Sequence, residues 1–249
     1  MTAQTAFLFA GALADANRNE GTEMSRKDKI KSAYKSLGKS HGFYDGMMRG
    51  TSFLGRLVSK TVWNMTPEDE LEYQAMVFEA LPADFSGRLL EVPVGTGVLS
   101  MPVFKTLPEA DVTCLDYSEK MMASAQARAA EMGIHNVTFR QGDVGNLPFA
   151  DESFDAVMSL NGFHAFPDKE AAYRETLRVL KPGGLFIGCF YVEKENLHTD
   201  KMIRRFYIKS GFFTPPFETV DSLQKRLSGM YGEAAVQNVE SIAVFRCRK

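Results

Sequence analysis

The stretch Arg88-Leu-Leu-Glu-Val-Pro-Val-Gly-Thr-Gly-Val-Leu-Ser100 carries an apolar strand pattern into a glycine turn and then toward a helix. Leu89, Leu90, Val92 and Val94 supply side chains for a buried strand, and Gly95 and Gly97 permit tight backbone close to a ligand. Amides gathered at such a turn receive a charged or polar group at the ends of a parallel sheet. Pro93 stands where a dinucleotide fingerprint would place its first glycine and has no N–H to offer. Taken alone, the loop reads equally as a nucleotide-like cofactor site or as an ordinary strand-to-helix turn.

Working downstream, the strand-and-helix unit repeats. Pro102 is tolerated near a helix start, Val103, Phe104 and Leu107 continue the packing face, and Pro108 closes the unit. Residues 111–116 read as the next strand and leave Asp116 at its carboxyl end, about one βαβ repeat after the first, where an acidic side chain is suited to ribose hydroxyls. Ser118 caps the following helix; Tyr117 and Met121 either flank an adenosine or pack the core. Residues 137–143 repeat the unit, with Gly142 and Asp143 at a strand end and Val144 beside them; Asp143 suits an exocyclic amine on adenine, or is a plain turn aspartate.

A buried strand over 156–160 then delivers Asn161-Gly-Phe-His164 to the same carboxyl edge. His164 is the candidate for taking a proton from an acceptor group, or equally a satisfied loop histidine. Asp168 caps a helix over 169–180, Lys181-Pro-Gly-Gly184 stops it, and 185–190 form a fifth strand. Alternation of this kind predicts a doubly wound α/β fold.

Upstream, residues 1–80 read as a tail and helical cover, with Ser25 and Thr66-Pro67 as helix starts. Tyr34, Phe43, Tyr44 and Trp63 are its candidate acceptor walls, or simply aromatics that pack helices together. Residues 81–249 form the main domain, with a second cover near 193–230 that contains a helix over 196–207 bearing Phe206 and an aromatic, proline-interrupted connection over 209–217.

Composition narrows the function classes. A chain of 249 residues with 45% hydrophobic and 24% charged residues belongs among soluble globular proteins, and a formal charge of -2 gives no general attraction to nucleic acid. Cys114, Cys189 and Cys247 lie far apart, and the four histidines lack ligand spacing, so neither a redox pair nor a metal centre is expected. Reduced thiols fit a cytoplasmic setting. The alanine-rich opening is too short and too mixed to span a bilayer.

The ordered set Leu90-Glu-Val-Pro-Val-Gly-Thr-Gly97, Asp116, Gly142-Asp143, Phe154-Asp-Ala-Val157 and Arg178-Val-Leu-Lys-Pro-Gly-Gly184 resembles the class I S-adenosylmethionine-dependent methyltransferases over roughly residues 85–190. The helical prefix is more distantly similar to the ubiquinone and menaquinone biosynthetic group. This resemblance implies a mostly parallel seven-stranded sheet ending in an antiparallel hairpin, which strands over 235–241 and 243–247 can supply.

It also implies S-adenosylmethionine as cofactor, S-adenosylhomocysteine as product and a small-molecule methyl acceptor, in a monomer or homodimer. The implied cofactor residues are Glu91, Pro93, Gly95, Gly97, Asp116, Tyr117, Met121, Gly142, Asp143, Val144 and Asn161; the acceptor candidates are Tyr34, Tyr44, Trp63, His164 and Phe206. Two rivals stay open: a nicotinamide-dependent oxidoreductase, disfavoured by the missing Gly-x-Gly-x-x-Gly run, and a cofactor-binding scaffold without turnover.

Overall fold

A computed structural model describes residues 57–249, so Tyr34, Phe43 and Tyr44 lie outside the described residues. The elements are a π-helical turn (Ser59–Trp63), α1 (Pro67–Glu79), β1 (Arg88–Glu91), α2 (Met101–Phe104), β2 (Asp111–Asp116), α3 (Glu119–Glu131), β3 (Val137–Gln141) and β4 (Phe154–Leu160). They continue through α4 (Lys169–Val179), β5 (Leu180–Tyr191), α5 (Leu197–Met202), a second π-helical turn (Ile203–Tyr207), α6 (Val220–Met230), β6 (Glu233–Val239) and β7 (Ile242–Arg248).

The strands form one sheet in the order β3-β2-β1-β4-β5-β7-β6. β1 through β5 pair parallel, and β7 joins β5 and β6 antiparallel. This is the mostly parallel, seven-stranded, Rossmann-like sheet that the sequence predicts. Because the chain steps from β1 outward to β3 and then returns to place β4 on the other side of β1, the strand order reverses between β1 and β4. A crevice opens there, beyond the carboxyl ends of the strands.

Strand periodicity divides the core. Leu90, Val157 and Phe186 pack on one face with Tyr173 of α4 and Leu223 and Leu227 of α6. Their neighbours Leu89, Ala156 and Ile187 face the other way, onto Met101, Phe104, Ala125 and Ala129. Both faces are covered, so each of these strands reads as a continuous apolar run. Burying a leucine in this way contributes about 1.5–3 kcal/mol, and Leu89 and Leu90 are both fully buried.

Local signals set the helix starts. Thr66 and Asp69 form a reciprocal capping box with Pro67 at the first position, Ser118 Oγ accepts from Met121 N–H, and Asp168 Oδ1 accepts from Ala171 N–H. One expectation needs correction. The fifth strand begins at Leu180 rather than 185, because Leu180 already pairs with Phe154 and the Lys-Pro-Gly-Gly run is absorbed at a register shift in the β4 pairing. The helix expected over 196–207 is present, capped by Asn196, α-helical to Met202 and then widening into the π-helical turn. Among the described residues before β1, Tyr73 and Val77 of α1 pack on the sheet against Cys189, Ile242 and Val244.

Candidate active site

The crevice holds an open cavity of about 1050 Å³ lined by the turn 91–100, the end of β2 and the segments 142–144, 160–161 and 165–167. Its floor is the glycine turn. Gly95 (φ +56°) and Gly97 (φ +66°) adopt left-handed backbone. A side chain on Gly95 would meet open space, whereas one on Gly97 would strike Met101 Cγ at 2.8 Å. The first glycine bares backbone to the cavity, and the second lets the turn seat on α2. Val92-Pro93 is a cis peptide.

Asp116 sits at the end of β2 and is 6% exposed. Its Oδ2 accepts the Gly95 N–H at 2.8 Å and its Oδ1 accepts the Ser118 N–H at 2.7 Å, so one carboxyl ties the glycine turn to the start of α3. Burial pushes its pKa up to about 6, against the lowering effect of the Ser118, Gly95 and Tyr117 amides. Each oxygen keeps a lone pair for a further donor.

Glu91 lies deeper, 1% exposed. Burial pushes its carboxyl up to about 8, with Asp116 adding to the rise; Ser100 and Cys114 act the other way. The Cys114 thiol donates to Glu91 Oε2 across 3.6 Å, a weak bond. The Ser100 hydroxyl lies close enough to favour the charged form without forming a well-aligned hydrogen bond. Burial thus favours the neutral acid of Glu91 over its carboxylate.

Of the eleven residues implied for cofactor binding, ten line the cavity, including Tyr117, which is 39% exposed at its edge, and Gly142, Asp143, Val144 and Asn161. Asp143 Oδ1 accepts the Gly145 N–H at 2.9 Å, and Asn161 is held with φ +52° while its N–H donates to Cys189 O at 2.7 Å. Met121 is the exception, buried at 1% exposure and absent from the wall, because the first turn of α3 points it into the core.

His164 does not reach the cavity wall. Its ring stacks on Phe213 at 4.0 Å, and its Nδ1 accepts the Tyr191 N–H at 3.3 Å. Burial, helped by Lys169, lowers its pKa to about 3. Burial and ring packing disfavour the protonated ring, and His164 stands behind the cavity wall next to the lining residue Ala165.

Trp63 and Phe206 are also away from the wall. Trp63 packs edge-on against Tyr191 and Tyr207 and near Phe213, with centroids 6.0–6.3 Å apart, so the upstream and late segments meet in one aromatic cluster. Phe206 lies under the Arg205 guanidinium at 5.5 Å.

Sequence reasoning passed over Leu160, Ala165, Phe166 and Pro167, which form an apolar wall beside the turn. They look like core in a linear pattern. The one available signal was their position directly around the strand end at Asn161.

A methyltransferase-domain family profile matches residues 89–184, the span that holds the glycine turn and both strand-end aspartates. The chain is 32% identical over 171 residues to a demethylmenaquinone methyltransferase of Listeria monocytogenes serotype 4a, covering 62% of this chain and 72% of that protein. The chain belongs to the class I S-adenosylmethionine-dependent methyltransferases. Over 97 residues this methyltransferase is also 39% identical to an uncharacterized protein, Mb1440c, of Mycobacterium bovis, covering 39% of this chain and 34% of that one.

Among solved structures, the YcgJ protein from Bacillus subtilis is similar with a TM-score of 0.56 and 25% identity, covering 68% of this chain and 70% of its own. A methyltransferase from Thermotoga maritima described as a possible histamine N-methyltransferase shares the fold, with a TM-score of 0.61, 21% identity and coverage of 86% and 98%. Fold and homology support S-adenosylmethionine-dependent methyltransferase activity and, in general terms, that cofactor. The residues present fit it: the open cradle at Gly95, the buried Asp116 carboxyl beside it and the exposed Tyr117 ring match a ligand with backbone-facing, hydroxyl-bearing and aromatic parts.

Proposed function

We propose that this methyltransferase acts on a planar, largely apolar small molecule of the quinone-precursor class. The observation that carries the reading is the apolar wall of Leu160, Ala165, Phe166 and Pro167, which adjoins the glycine turn within one cavity. A flat acceptor laid on that wall lies beside the cofactor limb. The similarity to a demethylmenaquinone methyltransferase supports the same class of acceptor.

When bound, the cofactor supplies a methyl group already activated on a sulfonium, so no covalent intermediate on the protein is needed. The protein's part is placement. Asp116 holds the turn and has lone pairs for ribose hydroxyls; Asp143 and Tyr117 stand where an adenine would be bounded; the apolar wall excludes water around the acceptor. The titratable side chains among the described lining residues are Glu91, Asp116, Tyr117 and Asp143, all on the cofactor side. The reading therefore favours an acceptor acidic enough to ionise by itself, such as an enol or phenol.

Titration calorimetry with S-adenosylmethionine tests the cofactor half, and labelled methyl transfer to demethylmenaquinol and simpler reduced quinones tests the acceptor half. Asp116→Ala should weaken cofactor affinity about tenfold or more, since it removes a charge-assisted partner worth about 1.5–3 kcal/mol. Unchanged affinity refutes the role of Asp116. Cofactor binding without transfer to any reduced quinone or phenol refutes the acceptor class.

A further inference from the structure

Ala165, Phe166 and Pro167 face the cavity from the short segment between β4 and α4. Within that segment the bonds are those of one tight turn, in which Gly162 O accepts the Ala165 N–H at 2.8 Å and the Phe166 N–H at 3.3 Å. Further ties come from the connection over 209–217. Thr214 is buried and lies off the cavity wall; it donates its N–H to His164 O at 2.9 Å and its hydroxyl to Ala165 O at 3.0 Å, and its own carbonyl accepts the Lys169 ammonium. All three polar groups of one residue therefore engage the segment, two at its start and one where α4 begins, with Phe166 and Pro167 between the anchors. Beside them the Phe213 ring stacks on His164 at 4.0 Å. None of these bonds reaches the glycine turn, which Asp116 holds from the end of β2.

We propose that Thr214 is a positioning residue for the methyl acceptor: from behind the apolar wall it fixes the surface on which the acceptor lies, while the cofactor limb of the cavity is held independently by Asp116. The inference rests on the acceptor reading above and gives the 209–217 connection a function, that of backing the wall. A buried carbonyl that loses its donor is costly, so without the Thr214 hydroxyl the peptide at Ala165 moves toward another partner. Phe166 and Pro167 follow it, because the segment is short and anchored at both ends. The wall then fits the acceptor less well, and the glycine turn stays where it was.

The test is steady-state kinetics with S-adenosylmethionine and demethylmenaquinol, or a simpler reduced quinone or phenol where that turns over faster, on wild type, Thr214→Val and Thr214→Ser. Valine keeps the shape of threonine without the hydroxyl, and serine keeps the hydroxyl. Thr214→Val should raise the acceptor KM roughly fivefold or more, matching the lower end of the penalty for an unsatisfied buried carbonyl. Its Kd for S-adenosylmethionine by calorimetry should stay within about twofold of wild type, since the two sites share no partner. Thr214→Ser should return the acceptor KM to near the wild-type value. A protein that is merely less well folded loses apparent kcat and keeps its KM, so the KM separates positioning from stability. An unmoved acceptor KM in Thr214→Val, a cofactor affinity that falls in step with it, or no recovery in Thr214→Ser overturns the proposal while leaving the acceptor reading intact. No transfer by wild type to any reduced quinone or phenol overturns both. If Thr214→Val fails to fold, amide hydrogen exchange on wild type decides: with S-adenosylhomocysteine present, adding the acceptor should slow exchange in the peptide that holds Thr214, whose N–H is bonded to the wall segment, and unchanged exchange refutes the proposal.

Discussion

Gly162→Ala tests whether the cavity's two walls are a single packed unit. A methyl group built on Gly162 would stand 2.4 Å from Pro93 Cδ, 2.7 Å from Phe166 Cζ and 3.0 Å from Ser159 Oγ. Ordinary contacts begin near 3.4 Å, so the first neighbour is about 1 Å too close. Pro93 is a ring fixed in the turn, and Phe166 is edge-packed on Phe163 at 5.1 Å, so neither withdraws like the tip of a flexible chain. Overpacking of this kind costs about 1–3 kcal/mol. For a chain of this size, each kcal/mol lowers Tm by about 2–4 °C, so a drop of roughly 2–12 °C is expected by thermal circular dichroism. Pro93 and Phe166 both line the cavity, so cofactor affinity should fall as well. Gly229→Ala is the control, since its added methyl meets nothing within 4 Å on α6 and should stabilise the protein by about 0.5–1 kcal/mol. A Gly162→Ala protein with wild-type Tm and cofactor affinity would refute the packing argument.

Glu91 also makes stability depend on pH. Its folded pKa is raised from about 4.5 to about 8, so the folded state holds a proton that the unfolded chain has lost, and stability falls as pH rises between those values. Asp116 acts in the same sense only up to about pH 6. His164, lowered from 6.5 to about 3, acts oppositely, with stability lost as pH falls below 6.5. Between pH 6.5 and 8 Glu91 is left to dominate, with a limiting slope of about 1.4 kcal/mol per pH unit. Urea titrations should show Glu91→Gln flatter than wild type in that window; parallel profiles would contradict it. Arg178 donates to both oxygens of Glu175 and to the carbonyls of Leu147 and Phe149, with Asp151 as a further partner. Arg178→Ala should cost about 1–3 kcal/mol, and Arg178→Lys should recover little because an ammonium cannot make the fork. Full recovery by lysine in chemical denaturation would show that charge alone matters there.

The strands, the caps at Thr66, Ser118 and Asp168, and the run of acidic residues at strand ends are local or periodic features, so the linear order of residues was enough to read them. Leu89 and Leu90 fall on opposite faces because strand geometry requires it. The ten cavity residues recognised in advance sit at ends of parallel strands, and the reversal between β1 and β4 brings all such ends to one crevice. What tertiary structure alone decided concerns side chains whose role depends on distant partners. His164 is stacked on a ring from residue 213 and accepts an amide from residue 191. Trp63 is drawn into a cluster with Tyr191 and Tyr207, and Met121 turns inward. The apolar wall around Phe166 looks like core until the space in front of it is seen. The raised pKa of Glu91 is likewise a property of burial and of Asp116 on the neighbouring strand, since the free energy of a charge depends on its surroundings in space and not on its neighbours in sequence.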